Sequence, residues 1–441
     1  AEHRPPPLAD PAPNPPPLAD VMSGRRVFVV GGHITPFLGK GSKDFVWKKH
    51  PDFGKRTNPT LRDYITDSIR GALGSTGASG SAVDRVFVGN FAGELFNQQG
   101  HLGAAVAAAD PGLLYKPSMR VEGACASGGL AVAAAVQAVR AGDDLVLAVG
   151  AEMQSAATPR EGGTFLARAA DFERQAGIDD FTFPCLFARR TKAYLARYPH
   201  ATLEDLGLVA AKAYANGNLN PKAHMHAVKV SAEHAGAASE KNPNFLSNEE
   251  FSSFLRITDC SQVSDGGAAC VLASEEGLRK LGASAESCVE VVAADYGAGD
   301  LWSDPLDLAE MATIRNVVGR MLKGSGVSIA DIGVAELHDC FTMAEMMTYE
   351  ALGLAAPGRA CDVVRSGATK LDGKLPVNTG GGLIAFGHPV GATGVKQVLE
   401  VFRQMKGLCG DYQLPRRPEL GLTVNMGGDD KTVAAMVLKN L

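Results

Sequence analysis

The chain has 441 residues, 45% hydrophobic and 21% charged, with a formal net charge of -5; it is too long for one hydrophobic core, so two or three packed units are expected. The acidic balance argues against nucleic-acid binding as the main task while leaving room for a local basic patch, and no apolar run reaches the roughly 20 residues of a membrane span. Eight cysteines are scattered without a CxxC pair or metal-ligand spacing, which suggests neither a disulfide framework nor a zinc site and leaves reduced thiols as the expectation.

Residues 1–24 form a Pro-rich arm in which Pro-Pro-Pro-Leu-Ala-Asp occurs at 5–10 and again at 15–20. This reads as extended, polyproline-like chain with no core-forming pattern, and it lacks the Arg-rich character of a transit peptide. The run RVFVV at 26–30 opens the first core strand. From there the chain carries one plan twice. An amphipathic helix at 61–73, a Gly-rich turn and Ser81-Ala82-Val83-Asp84 lead into a strand at 85–90. A helix at 308–322, a Gly turn and Ser328-Ile329-Ala330-Asp331 lead into a strand at 332–338. Two further pairs correspond: the segment around Cys125 with that at 376–382, and the strand after Asp265-Gly266-Gly267 with the strand after Asp429-Asp430-Lys431. Such a repeat implies two α/β halves packed together, one from 25–153 and 258–283, the other from 284–441. The helices after Cys125 and after Gly391 should form a buried central layer. Residues 154–257 have no counterpart in the second half and read as an inserted loop or lid region. It is dotted with Arg189, Arg190, Lys192 and other basic side chains able to meet phosphates.

The richest stretch is Ser118-Met119-Arg120-Val121-Glu122-Gly123-Ala124-Cys125-Ala126-Ser127-Gly128-Gly129. A short strand is expected before Ala124, and from Ser127 a helix without a polar face, hence a buried one, ended by Gly142. Cys125 thus stands where backbone N–H groups and the positive end of a helix dipole gather, a setting that favours a thiolate. The Gly128-Gly129 pair should let a substrate approach the backbone. Alone, a cysteine is more often a small core hydrophobe. Three other stretches at strand ends change that reading: His338-Asp339-Cys340-Phe341, Gly387-His388-Pro389, and Asn425-Met426-Gly427-Gly428. His388 is the candidate base, and Cys340 beside His338 a second proton carrier. The backbone N–H groups of Cys125 and Gly427 are candidate oxyanion donors.

In combination these motifs resemble the thiolase superfamily over residues 25–441. Two departures stand out: His-Asp-Cys-Phe occupies the place of the family's Asn-Glu-Ala-Phe, and Asn425-Met426-Gly427 the place of its Cys-x-Gly. That exchange resembles the sterol-carrier-protein-type thiolases. The resemblance implies an α/β thiolase fold, two βαβαβαββ halves in αβαβα layers plus the inserted loop domain. It implies catalysis by Cys125, His338, Cys340 and His388 through an acyl-cysteine, with CoA and acyl-CoA as substrates and no tightly bound cofactor or metal. The expected reaction is thiolytic cleavage of 3-ketoacyl-CoA, branched chains included, to acetyl-CoA or propionyl-CoA and a shortened acyl-CoA, or the reverse Claisen condensation. Arg189, Arg190, Lys192, Ser261 and Ser264 are candidate CoA contacts. A homodimer or dimer of dimers is expected, in a mitochondrial or peroxisomal matrix; the C-terminal Lys439-Asn440-Leu441 is a distant relative of a peroxisomal address. Two alternatives stay open: a ketoacyl-synthase-like condensing enzyme, and a thiolase-like protein that binds acyl-CoA or lipid without catalysis.

Overall fold

The computed structural model describes residues 24–441, so the Pro-rich arm, but for Gly24, lies outside the described residues. The strands are β1 (Phe28–Ile34), β2 (Arg85–Gly89), β3 (Ser118–Val121), β4 (Leu145–Glu152), β5 (Gly266–Ala273), β6 (Val289–Ala298), β7 (Val334–Glu336), β8 (Leu420–Gly427) and β9 (Thr432–Asn440). The helices that matter to the site are α1 (Leu61–Thr76), α2 (Ser127–Ala141), α3 (Thr182–Arg197), α4 (Leu203–Gly217), α5 (Ala312–Ser325), α6 (Thr342–Ala351) and α7 (Thr393–Lys406).

The internal repeat is written into the strand order β3-β2-β4-β5-β1-β6-β9-β8-β7. In the first half, parallel β2 and β4 are followed by antiparallel β5, which pairs with β1. Parallel β7 and β8 are followed by antiparallel β9, which pairs with β6. The counterpart of β3 has shrunk to a single parallel bridge between Ala335 and Val377. Two residue pairs, Phe28 with Glu290 and Val29 with Val289, join the halves.

Alternation along the strands feeds separate cores, because successive side chains leave a strand on opposite faces. On β4, Leu145, Leu147 and Val149 pack with Leu61, Ile65 and Ile69 of α1. Val146 and Ala148 pack with Ala131, Val132 and Val136 of α2 and Val395 and Val398 of α7. Both faces of β4 are apolar, as expected for a strand covered on both sides. α2 and α7 touch each other and strands of both halves, while α1 and α5 cover the outer faces. This is the layered αβαβα thiolase fold. The stretch Ala124–Ala141 has a mean hydropathy of 1.3 and is apolar enough to cross a membrane by composition. Here it is the central core helix.

Two expectations need correction. The outer helix of the second half starts at Ala312, not 308, because the Asp430 carboxylate accepts from the N–H groups of Thr313 and Ile314 and so sets its first turn. The inserted region is no free lid. Phe187 of α3 stacks on Phe341 at 4.5 Å, and Cys185, Phe187 and Tyr194 share a core with Met343, Met347 and Ile314 of the second half.

Candidate active site

Cys125 follows a turn that only a few residue types can make. Ala124 has φ of 53°, left-handed backbone that costs a residue with Cβ on the order of 1–3 kcal/mol. Glu122 accepts from the Ala124 N–H, and Ser127 Oγ donates to the Ala124 carbonyl at 2.6 Å. These bonds hold the turn and aim Cys125 at the end of β8. A Cβ on Gly427 would lie 2.1 Å from the Gly123 carbonyl, so glycine there admits the contact.

The sulfur of Cys125 and one ring nitrogen each of His338 and His388 all lie within 4.8 Å of one another. The imidazoles meet edge to face, centroids 5.1 Å apart. Such a trio is compact enough to ligate a soft metal ion as well as to move protons. His338 comes from the strand end after β7, and His388 from the Gly-rich turn before α7. Glu152 at the end of β4 pins that turn: it accepts from Gly391 N–H and from the N–H groups of Phe91 and Ala92. Gln154 donates to the His388 carbonyl at 2.9 Å.

Hydrogen-bond direction assigns the proton of His388. Thr393 Oγ1 donates to the Pro389 carbonyl at 3.1 Å, which uses its only hydrogen. It therefore accepts from His388 Nδ1–H at 2.6 Å. The other nitrogen, Nε2, is left bare, and it is buried with no protein partner. Burial, helped by the Lys396 charge, lowers His388 to about 3. The same causes with His388 added keep His338 neutral. Asn425 completes the group: its Nδ2 donates to His338 Nδ1 at 3.1 Å and to the Cys125 carbonyl at 3.0 Å.

Burial overrides the helix dipole at the nucleophile. It pushes the Cys125 thiol up to about 12, although the N–H groups of Gly428 and of Cys125 itself act the other way. Cys125 therefore rests as a thiol, against the expectation of a thiolate, and needs a base in the reaction. Gly428, the neighbour of the expected Gly427, thus joins Cys125 in directing an N–H at the sulfur. Cys340 is buried, and its thiol is raised well above the ordinary value by burial first, then by Cys125 and Asp339. It borders the cluster without joining it.

The expected roles of Gly128-Gly129 and, among the CoA contacts, of Arg190 and Ser264 are also corrected. A Cβ on Gly128 would lie 2.6 Å from the Gly391 carbonyl, and one on Gly129 2.7 Å from Asn425 Oδ1; these glycines admit α7 and Asn425, not substrate. Arg190 is fully buried, paired with Asp429 and donating to the carbonyls of Leu308 and Glu310. Ser264 is buried against His224 at 2.9 Å. Arg189 lies 3.5 Å from Asp304 and Lys192 3.1 Å from Glu250. Ser261 borders the reacting groups, its N–H donating to the Cys340 carbonyl. Missed from the sequence were the work of Asn425, Thr393 and Glu152 and the buried Lys396–Glu336 pair at 2.8 Å. The polar residues in α7, a helix expected to be buried, were the available signal.

A paired-half α/β fold with a thiol and two neutral imidazoles at its centre defines an acyl-transfer site of the thiolase kind. Family models bear this out: "Thiolase, N-terminal domain" matches residues 52–276, and "Thiolase C-terminal domain-like" matches 301–440. The acetyl-CoA acetyltransferase of Methanothermobacter thermautotrophicus is 33% identical over 87% of this chain and 96% of its own length. Sterol carrier protein 2 of Gallus gallus is 30% identical over 92% of this chain and 70% of its own. Among solved structures, the Acat5 thiolase from Ascaris suum in complex with coenzyme A superposes with a TM-score of 0.65 at 18% identity, covering 95% of this chain and all of that one. The chain belongs to the thiolase family. Within it, the chain is of the sterol-carrier-protein-like kind, an acyltransferase acting on CoA thioesters.

Proposed function

We propose that the chain cleaves 3-ketoacyl-CoA, branched chains included, by thiolysis, and that the reverse Claisen condensation runs through the same groups. The observation that carries this reading is His388, whose Nε2 is bare and which has a ring nitrogen in one cluster with the Cys125 sulfur and His338. The Cys125 proton passes to His388 Nε2 as the sulfur bonds to the 3-keto carbon. The N–H groups of Cys125 and Gly428 receive the resulting oxyanion. The C2–C3 bond then breaks, leaving an acyl group on Cys125 and an acetyl-CoA or propionyl-CoA enolate, whose oxygen accepts from His338. Cys340 protonates the enolate carbon; as a thiol held protonated by burial it suits a donor, and once ionised it is a strong base. It next takes the proton of the incoming CoA thiol. CoA sulfur attacks the acyl carbonyl, Cys125 leaves as thiolate, and His388 returns its proton.

The test follows loss of the keto-thioester absorbance of acetoacetyl-CoA with added CoA, with intact mass reporting an acyl group on Cys125. Turnover with the adduct supports thiolysis. An adduct without turnover points to the condensing-enzyme alternative. CoA-ester binding with neither signal would leave a non-catalytic binder. For the quaternary state a homodimer through β3 is our reading: β3 ends the sheet, and Met119 on it and Leu114 and Tyr115 just before it are exposed, Tyr115 to 94%. Met119→Glu should shift the sedimentation of wild-type dimers towards monomer; monomeric wild-type protein would sink this reading.

A further inference from the structure

Asn425 enters the centre of the molecule through gaps that only glycine leaves. A Cβ on Gly394 at the start of α7 would lie 2.3 Å from Asn425 Oδ1, and one on Gly129 at the start of α2 would lie 2.7 Å from it. The side chain is 2% exposed. Both ends of its amide are assigned by backbone groups whose roles are unambiguous. Oδ1 accepts from the Gly129 N–H at 3.0 Å, so the other end is Nδ2, and it donates to the Cys125 carbonyl at 3.0 Å. Its second hydrogen is aimed at His338 Nδ1, 3.1 Å away.

We infer that Asn425 is a positioning residue that fixes the tautomer of His338: an N–H donor on Nδ1 forces that nitrogen to accept, so the ring proton sits on Nε2 and faces the reacting groups. The opposite assignment holds at His388, whose Nδ1–H is used by Thr393 and whose Nε2 is bare. Two neutral imidazoles thus meet with unlike nitrogens: one can only donate, the other can only accept. His388 takes the thiol proton; His338 holds the oxygen that gains charge. Neither amide nor ring can turn over without setting donor against donor or acceptor against acceptor. The inference deepens the acyl-transfer reading above and rests on it for the meaning of the donor, though not for its existence.

Asn425→Asp is the discriminating variant, since it keeps the size and the acceptor for Gly129 and replaces the donor by an oxygen. Nδ1 should then carry the proton, leaving Nε2 of His338 bare. Loss of one oxyanion donor predicts a kcat lower by about 10²–10³-fold, with KM little changed. Lowering the pH should restore part of it, because an imidazolium beside the new carboxylate carries both protons. The other titratable or charged groups around His338 are Cys125 from the α2 turn, His388 and Lys396 from the α7 side, and Cys340 and Asp339 on its own segment. They are the same in both proteins, so the difference between the two pH profiles isolates the substitution. A loss that is flat with pH, or wild-type kcat, would overturn the inference. Long-range ¹H–¹⁵N spectra of the histidine-labelled wild-type protein give a second reading that needs neither the variant nor any turnover. His338 should show the Nε2–H form and His388 the Nδ1–H form. His338 in the Nδ1–H form would end the argument even if thiolysis is established, and wild-type protein without turnover but with the expected spectra would keep it.

Discussion

α2 and α7 hold equivalent places in the two halves, side by side at the centre, yet they are built in opposite ways. α2 buries Ala131, Val132, Ala133, Ala135, Val136 and Val139. α7 buries Lys396, Gln397, Glu400 and Gln404 among its apolar residues. Lys396 pairs with Glu336 at 2.8 Å, Gln397 donates to the Val424 carbonyl at 3.1 Å, and Gln404 donates to the Tyr412 carbonyl at 2.8 Å. The difference follows from what each end must hold. A nucleophilic thiol needs backbone N–H groups and a dry surrounding, which apolar packing supplies. An imidazole that must present one particular nitrogen needs hydrogen bonds with direction, and those need buried polar partners. The nucleophile is placed by a hydrogen-bonded turn set on an apolar helix, the bases by a polar network that runs through α7.

The sharpest way to break this division is at the nucleophile. Cys125→Ala should lower thiolysis by ~10⁴-fold or more without loss of stability, measured as kcat beside a melting curve and CoA-ester binding. Next in size is the polar network. Lys396→Met leaves Glu336 charged or protonated without a partner and should cost about 3–5 kcal/mol in denaturant unfolding. Replacing both by apolar residues of matching volume should recover most of it. A full cost in the double variant would mean that the pair is a net stabiliser in its own right. On the packing side, Ala133→Leu should cost about 1–3 kcal/mol by overfilling the centre, and should leave the pH dependence of kcat in place.

An effect that grows with acidity is expected from proton linkage at His388. Its value falls from the ordinary 6.5 to about 3 in the folded protein, so below 6.5 the unfolded chain binds the extra proton. The contribution to stability is whole above 6.5 and is lost as the pH falls towards 3. His388→Asn lacks this group, so wild-type protein should lose melting temperature relative to the variant over that range, and parallel curves would refute the assignment. The smallest effect belongs to Lys192, whose exposed pairing with Glu250 predicts a change within about 0.5 kcal/mol for Lys192→Ala.

Much of the frame was legible without coordinates. The duplicated order of turns and strands, the all-apolar helix after Cys125 and the motifs around His338, Cys340 and His388 are local patterns, and each carries its own physical meaning. The inserted basic region misled, because a buried Arg190 paired with Asp429 and a surface arginine read alike in one dimension. The helix dipole misled at Cys125 for a related reason: a dipole is a local property, whereas desolvation is set by everything packed around the sulfur.

The sequence by itself determined that two α/β halves pack through buried helices, and which thiols and imidazoles stand at strand ends, since periodicity and turn chemistry act over a few residues. Only the tertiary structure decided the proton positions. Asn425 and His338 lie 87 residues apart, and Asn425 and Gly129 lie 296 apart. A hydrogen bond has direction only once both partners are placed, so the choice of which nitrogen gives and which receives belongs to the assembled core.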